Sequence, residues 1–365
     1  MIIGDISKHA KRICVEVVPR KKRWALGNSI NRFLEFIFVP RNWTPDGVSP
    51  SDLADGGLYH RSLYAEGDVG QPLGWHRDSI AKLVQAIVSR ISDGDLVVDY
   101  GTGTGGSAIE LLKVLDSQGI QITLVLVDPL PSWFSKAWEL LHHRSDVEFR
   151  LSFDYDSELG KKRFFTVTEL LNGRQANLIL TSSTMHLIPS KTIPSLIEEI
   201  HAVLIPGGWF IWDSGDIDVP TRPASSCLLH DPYRSVHAKA VASAEHQVAL
   251  SSLDDQLQAQ RILHKTGRIF PTPPTAEIIT DAIDAVGFQS EYSTLEVSMA
   301  DEDALRFILV PRLAAVAAGI EDEAARTALI ERCLAETLDE LRASGQADEN
   351  GYRSHWTYGV HQKLS

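Results

Sequence analysis

The chain has 365 residues, 44% of them hydrophobic and 23% charged, a balance that suits a globular protein of two domains or one enlarged α/β domain. A net charge of −13 disfavours a general nucleic-acid binder, and no apolar run approaches the ~18 residues that a membrane span needs. Cys14, Cys227 and Cys333 lie too far apart for a CxxC pair, and the polar start MIIGDISKHAKR is no secretory signal, so a reducing cytoplasmic setting is expected.

Residues 1–43 carry nine basic groups against three acidic ones. They read as a basic arm on an acidic body, or as a docking site for an anionic partner. Up to residue 78 the chain is rich in aromatics and turn formers, the composition of a lid over another domain. RDSIAKLVQAIVSRI then has helical spacing, with Ile80, Leu83, Val84, Ile87, Val88 and Ile91 on one stripe.

Strands and helices alternate from there. The short apolar run DLVVDY precedes a helix at GSAIELLKVLDSQ, and QITLVLVD precedes one at PSWFSKAWELLHHR. VEFRLSF, ANLILTS and GGWFIWDSG are the third, fourth and fifth strands, with the helix IPSLIEEIHAVL before the fifth. Apolar strands alternating with helices predict a mostly parallel sheet covered on both faces. A helical insert over 217–273 interrupts the pattern; AEIITDAIDAVG and FQSEYSTLEVSM resume it. A second insert, about 301–347, separates these from a last strand, RSHWTYGVHQKL. The expected divisions are therefore 1–78 (arm and lid), 79–216 (core), 217–273 (cap) and 274–365 (completion of the core).

The stretch DYGTGTGG admits two patterns. Gly101, Gly103 and Gly106 fit GxGxxG, the pyrophosphate cradle of a nicotinamide-dependent oxidoreductase. Gly101, Gly103 and Gly105 fit DxGxGxG after Asp99. A carboxylate at 99 repels a pyrophosphate at a helix N-terminus but suits a cationic ligand end. Asp128, at the end of the second strand, serves ribose hydroxyls in either case. No Gly-Lys-Ser/Thr follows, so the loop is not a P-loop.

VVDYGTGTGG resembles motif I of the class I S-adenosylmethionine-dependent methyltransferases. LVLVD resembles their second motif, ANLILTSSTMHLI their fourth-strand segment, and HAVLIPGGWFIW their Leu-x-Pro-Gly-Gly turn into strand five. The four occur in family order across 95–213, and the last two strands suit the family's antiparallel pair. The resemblance implies a Rossmann-like, seven-stranded α/β fold that binds S-adenosylmethionine. By position it places Asp99, Gly101, Gly103 and Gly105 on the methionine side, Asp128 on the ribose and Asp154 on the adenine amino group. Asn177 departs from the family, standing where an acidic residue is often found.

Methyl transfer is an in-line displacement that demands alignment and exclusion of water, with a base where the nucleophile must lose a proton. His186, after the fourth strand at the ligand-binding end of the sheet, is the candidate base, unless it is a hydrogen-bonded structural histidine. In the lid, Tyr59 and Trp75 can offer ring faces to a sulfonium or acceptor, or simply pack. LLHDPYRSVHAKA sets His230 with Arg234, and Tyr233 with His237, on shared helix faces. They line an acceptor pocket or form a solvated polar face; no metal site is expected. The expected acceptor is a small or medium-sized organic molecule, methylated on oxygen or nitrogen in a biosynthetic pathway. Carboxyl methylation of a peptide, or a non-catalytic scaffold of the same fold, are the alternatives.

Overall fold

The computed structural model describes residues 42–364 apart from 66, 68–69, 157–159, 254–259, 261 and 263–267. The basic residues up to 41, and Cys14 with them, lie outside the described residues, as does part of the cap expected over 217–273. Residues 42–365 form one compact unit.

The chain enters through helix α1 (Pro50–Arg61), whose N-cap Ser49 accepts a hydrogen bond from the Asp52 amide at 3.2 Å and whose first residue is proline. Helix α2 (Gly74–Val88) follows and buries Ile80, Leu83, Val84 and Ile87, as its spacing predicts. The alternation is then β1 (Leu96–Tyr100), α3 (Gly106–Gln118), β2 (Thr123–Asp128), α4 (Pro131–Leu141) and β3 (Val147–Leu151). A hairpin of β4 (Phe153–Asp156) and β5 (Lys161–Phe164) stands apart as its own two-stranded sheet. VEFRLSF is therefore not one strand: the ladder to β2 ends at Leu151, and Phe153 pairs with Phe164 instead.

Next come α5 (Val167–Leu170), β6 (Ala176–Ser182), α6 (Ile193–Val203) and β7 (Leu204–Ser214). The cap contributes α7 (Asp231–Ala242) and α8 (Ala244–Ser251). The core resumes with α9 (Ala276–Ala285) and β8 (Phe288–Met299). The second insert holds α10 (Asp301–Ile308) and α11 (Glu323–Ala343), before the short β9 (Ala347–Asp348) and the final β10 (Gly351–Lys363).

The main sheet has the order β3-β2-β1-β6-β7-β10-β8, with β9 paired to β10. The first five strands are parallel, while β10 runs antiparallel to both β7 and β8. This is the Rossmann-like methyltransferase arrangement. Because the parallel strands are covered on both faces, alternate residues enter two cores. Val97, Leu124, Leu126, Leu178 and Ile211 pack on the side of α2, α3 and the inserts. Val98, Val125, Ile179 and Phe210 pack on the side of α6 and α9.

Two features noted in the sequence have local explanations. Asn177 caps the start of β1, its Oδ1 accepting the Leu96 amide at 3.0 Å. The Pro-Gly-Gly stretch lies within β7, where Gly207 has φ +79° and the register against β6 shifts between Ala176 and Leu178. No described helix is long and apolar enough to cross a membrane.

Candidate functional site

Strand order reverses at β1, which has β2 on one side and β6 on the other. In open α/β sheets ligands bind outside the carboxyl ends of strands at such a point. The loop from β1 to α3 turns there through Gly101, Gly103 and Gly105, with φ of +89°, +57° and +89°. Gly106 is ordinary helical backbone at the first position of α3. The left-handed positions are those of DxGxGxG, not of GxGxxG, so the backbone follows the pattern that begins with Asp99.

Two carboxylates hold this loop. Asp128 Oδ2 accepts the Gly103 amide at 2.7 Å and Oδ1 accepts the Leu130 amide at 2.6 Å, across Pro129. Burial pushes its carboxyl up to about 7, against the pull of those two amides. Asp99 is fully buried; Ser107 Oγ donates to its Oδ2 at 2.8 Å, while Oδ1 has no partner. Burial lifts this carboxyl to about 6. An orphaned buried carboxylate oxygen costs free energy until a donor reaches it, so this site is suited to a ligand with a cationic hydrogen-bond donor.

The β6 end adds a tight contact. Ser183, with φ +47°, is pinned by Asp213, whose backbone oxygen and Oδ1 lie 3.1 and 3.0 Å from its amide. Thr184 is thereby laid against Gly101, donating to the Gly101 and Ser182 carbonyls at 3.1 and 2.9 Å. A Cβ at 101 would sit 2.2 Å from Thr184 Oγ1, so glycine is required there for space as well as conformation.

Helix α1 and the turn after it pack on the loop and on α3. His60 Nδ1 is 3.0 Å from Thr104 Oγ1, and Tyr64 donates to Glu110 Oε1 at 3.2 Å. Tyr59 stacks on Trp133 at 3.7 Å between centroids, and burial with the nearby Asp128 carboxylate holds its phenol above the usual range. Asp55 ties the lid to two elements: Oδ2 accepts Trp133 Nε1 at 2.9 Å, and Oδ1 accepts the Arg312 amide at 2.9 Å. Trp75 is buried with its Nε1 unpartnered.

The sequence candidates do not all converge. Asp154 is exposed on the β4–β5 hairpin, its Oδ1 taken by the Tyr155 amide at 2.7 Å, rather than by the glycine loop. His186, in a single 3-10 turn after β6 (Met185–Leu187), is buried with Nδ1 2.9 Å from Ser214 Oγ. His230 lies against it, ring centroids 5.0 Å apart. His230 Nδ1 is 3.2 Å from Asp216 Oδ2, and the Arg234 guanidinium covers both Asp216 oxygens. Burial works to raise the Asp216 carboxyl, but His230 and Arg234 outweigh it and hold it well below the carboxylate range. Burial drives His186 down to about 3, so at neutral pH its ring is an uncharged imidazole.

His230 and Arg234 share one face of α7, as their spacing predicts, and that face is satisfied by Asp216. The other face is apolar packing. Tyr233 is fully buried, its hydroxyl against Met299 Sδ and Tyr352, and His237 Nε2 lies 2.9 Å from the Leu313 carbonyl. Both rings pack on Phe270, at 5.4 and 5.0 Å. His186, Asp216 and His230 bring ligand-type atoms within 4.8 Å of one another. Arg234 already supplies the cation at Asp216, and its fixed charge opposes a metal ion there.

Asp55, Asp213 and Asp216 were not picked out by sequence reasoning. The last two had a signal: IWDSGD puts carboxylates near and just past the end of the strand that carries Pro-Gly-Gly.

Residues 74–289 match the sequence family described as "Methyltransferase domain". No curated protein matches the sequence. Similar solved structures include a cyclopropane synthase from Mycobacterium tuberculosis, 13% identical, covering 89% of this chain and 98% of that one at a TM-score of 0.45. Another is a phosphoethanolamine N-methyltransferase from Haemonchus contortus, 13% identical, covering 88% of this chain and 60% of that one, with a TM-score of 0.44. A third is the [4+2]-cyclase SpnF, 16% identical over 90% of this chain and 99% of that one, with a TM-score of 0.44. With the family match spanning more than half of its length, the chain belongs to the methyltransferase-domain family, whose cofactor is S-adenosylmethionine.

Proposed function

We propose that this enzyme methylates an oxygen or nitrogen of a small or medium-sized organic acceptor, with His186 as the base. What supports this reading is the place of His186 at the carboxyl end of β6, with Nδ1 2.9 Å from Ser214 Oγ and its ring against His230 of the His230–Asp216–Arg234 group. A carboxylate acceptor needs no base, and this histidine would then have no chemical task.

When bound, S-adenosylmethionine supplies a methyl group on a positively charged sulfur. Asp128 would take the ribose hydroxyls, whose donors can share its lone pairs with the Gly103 and Leu130 amides. Gly101, Gly103 and Gly105 let the backbone approach the ligand, and the unpartnered oxygen of Asp99 faces a cationic end. Tyr59 of α1, stacked on Trp133 of α4, which Asp55 holds, would exclude water from the loop. With Nδ1 donating a hydrogen bond to Ser214 Oγ, His186 Nε2 would present its lone pair to the hydroxyl or amine proton of the acceptor. Asp216 and Arg234 fix His230, which keeps the imidazole of His186 in place through ring contact.

Incubating the protein with isotopically labelled S-adenosylmethionine and a metabolite extract, then reading labelled products by mass spectrometry, tests this. Label on a hydroxyl or amine of a small molecule, lost with His186→Gln, is the expected result. Label on carboxylates alone, or none, would refute it.

A further inference from the structure

Two buried carboxylates, not one, face the ligand end of the central strands with an oxygen unsatisfied. Asp99 and Asp213 are each the last residue but one of their strands, β1 and β7, on either side of β6. Alternation puts Asp99 on the side of Val97 and Asp213 on the side of Ile211, and those two residues belong to the same core. Both aspartates are 0% exposed. Each spends one oxygen on structure: Asp99 Oδ2 on Ser107 at 2.8 Å, Asp213 Oδ1 on the Ser183 amide at 3.0 Å. Each keeps the other, Asp99 Oδ1 and Asp213 Oδ2, buried and without a hydrogen-bond partner among the described residues. Among the described residues, neither is in an ion pair.

Two such carboxylates are costly to bury. Buried carboxylates repel one another and desolvation opposes their charge, which one bound cation between them would relieve. Burial, with a smaller push from the field of Asp99, raises the Asp213 carboxyl to about 7 against the pull of the Ser183 amide and the Ser182 hydroxyl. The Ser183 amide accounts for only one of the two carboxylate oxygens at 213. That oxygen, Oδ1, also holds Ser183 in a left-handed conformation, which anchors the residue at the edge of the glycine loop.

We propose that Asp213 is a second carboxylate of the cofactor site, closing with Asp99 on the α-amino group of S-adenosylmethionine. The inference rests on the reading that this cofactor occupies the glycine loop. Three donor hydrogens on an ammonium can satisfy both free oxygens at once, with charge assistance on each bond.

The test is calorimetric titration of the full chain with S-adenosylhomocysteine and with its desamino analogue, in which hydrogen replaces the amino group. Asp213→Asn preserves the oxygen that accepts from Ser183 while removing the charge. It should weaken S-adenosylhomocysteine by about tenfold or more and leave the desamino analogue unchanged, so that discrimination between them collapses. Asp213→Glu, which keeps the carboxylate, should restore part of the discrimination even if the site is slightly displaced. Undiminished discrimination in Asp213→Asn would overturn the proposal. An equal loss for both probes would also overturn it, because a purely structural residue would behave that way. If the wild-type protein binds neither probe, the cofactor reading itself fails, a result distinct from either.

Discussion

Replacing Gly101 with alanine should damage the glycine loop in two separable ways. The residue has φ +89°, and a side chain held in left-handed backbone costs about 1–2 kcal/mol. The new Cβ would also lie 2.2 Å from Thr184 Oγ1, 2.4 Å from its Cγ2 and 2.8 Å from its Cβ. Thr184 cannot turn away freely, because its hydroxyl bonds the Gly101 and Ser182 carbonyls. Overpacking of this kind costs about 1–3 kcal/mol, which brings the expected loss of unfolding free energy to roughly 2–5 kcal/mol. Urea unfolding with an unchanged m-value would measure it. Thr184→Gly in the same chain should recover the steric part alone, giving a coupling of about 1–3 kcal/mol in a double-mutant cycle. Full additivity of the two substitutions would refute the contact, and an unchanged stability of Gly101→Ala would refute the left-handed loop.

His186→Gln should slow turnover of the identified acceptor by about 10²–10⁴-fold with the affinity for S-adenosylhomocysteine nearly intact; an equal fall in affinity would assign it to binding instead. Asp55→Ala strands the Trp133 indole N–H and the Arg312 amide, so amide hydrogen exchange across Pro50–Arg61 should speed up by about tenfold or more, whereas unchanged protection would show that Asp55 does not hold the lid. Asp213 has a folded-state pKa of about 7 against 3.8 in the unfolded chain, so its contribution to stability is fully present below pH 3.8 and is lost as pH rises through 7. Wild type minus Asp213→Asn, compared by urea unfolding at pH 5 and pH 8, should therefore show wild type relatively weaker at pH 8. Buried His186, lowered to about 3, acts in the opposite direction in both proteins and cancels in that difference.

The sequence by itself determined the architecture, because each strand and helix of the core is a local pattern. Leu96–Tyr100 and Thr123–Asp128 are apolar runs bounded by glycines and an acidic residue, and Gly74–Val88 repeats its apolar side chains at helical spacing. The ligand loop was equally legible: a carboxylate two residues before the first of three alternating glycines is a statement about charge and backbone freedom. His186 could be singled out for its place after β6, but not its partner, since Ser214 is 28 residues away. VEFRLSF was misread as one strand because a period-two pattern does not say which neighbour each half will pair with.

Only the tertiary structure decided which polar groups meet. Asp55 reaches Trp133 across 78 residues and the Arg312 amide across 257, and no spacing rule spans such gaps. Tyr233 and His230 sit on one helix of Asp231–Ala242 and its N-cap, yet one points into apolar packing and the other onto Asp216, a division set by what covers each face. Asp99 and Asp213 lie on strands far apart in the chain, and sheet order alone brings both to the two sides of β6. Local patterning is written in the order of residues because it is satisfied within a few of them. Desolvation and hydrogen-bond completion are properties of a packed environment, and they arise only when the chain has closed on itself.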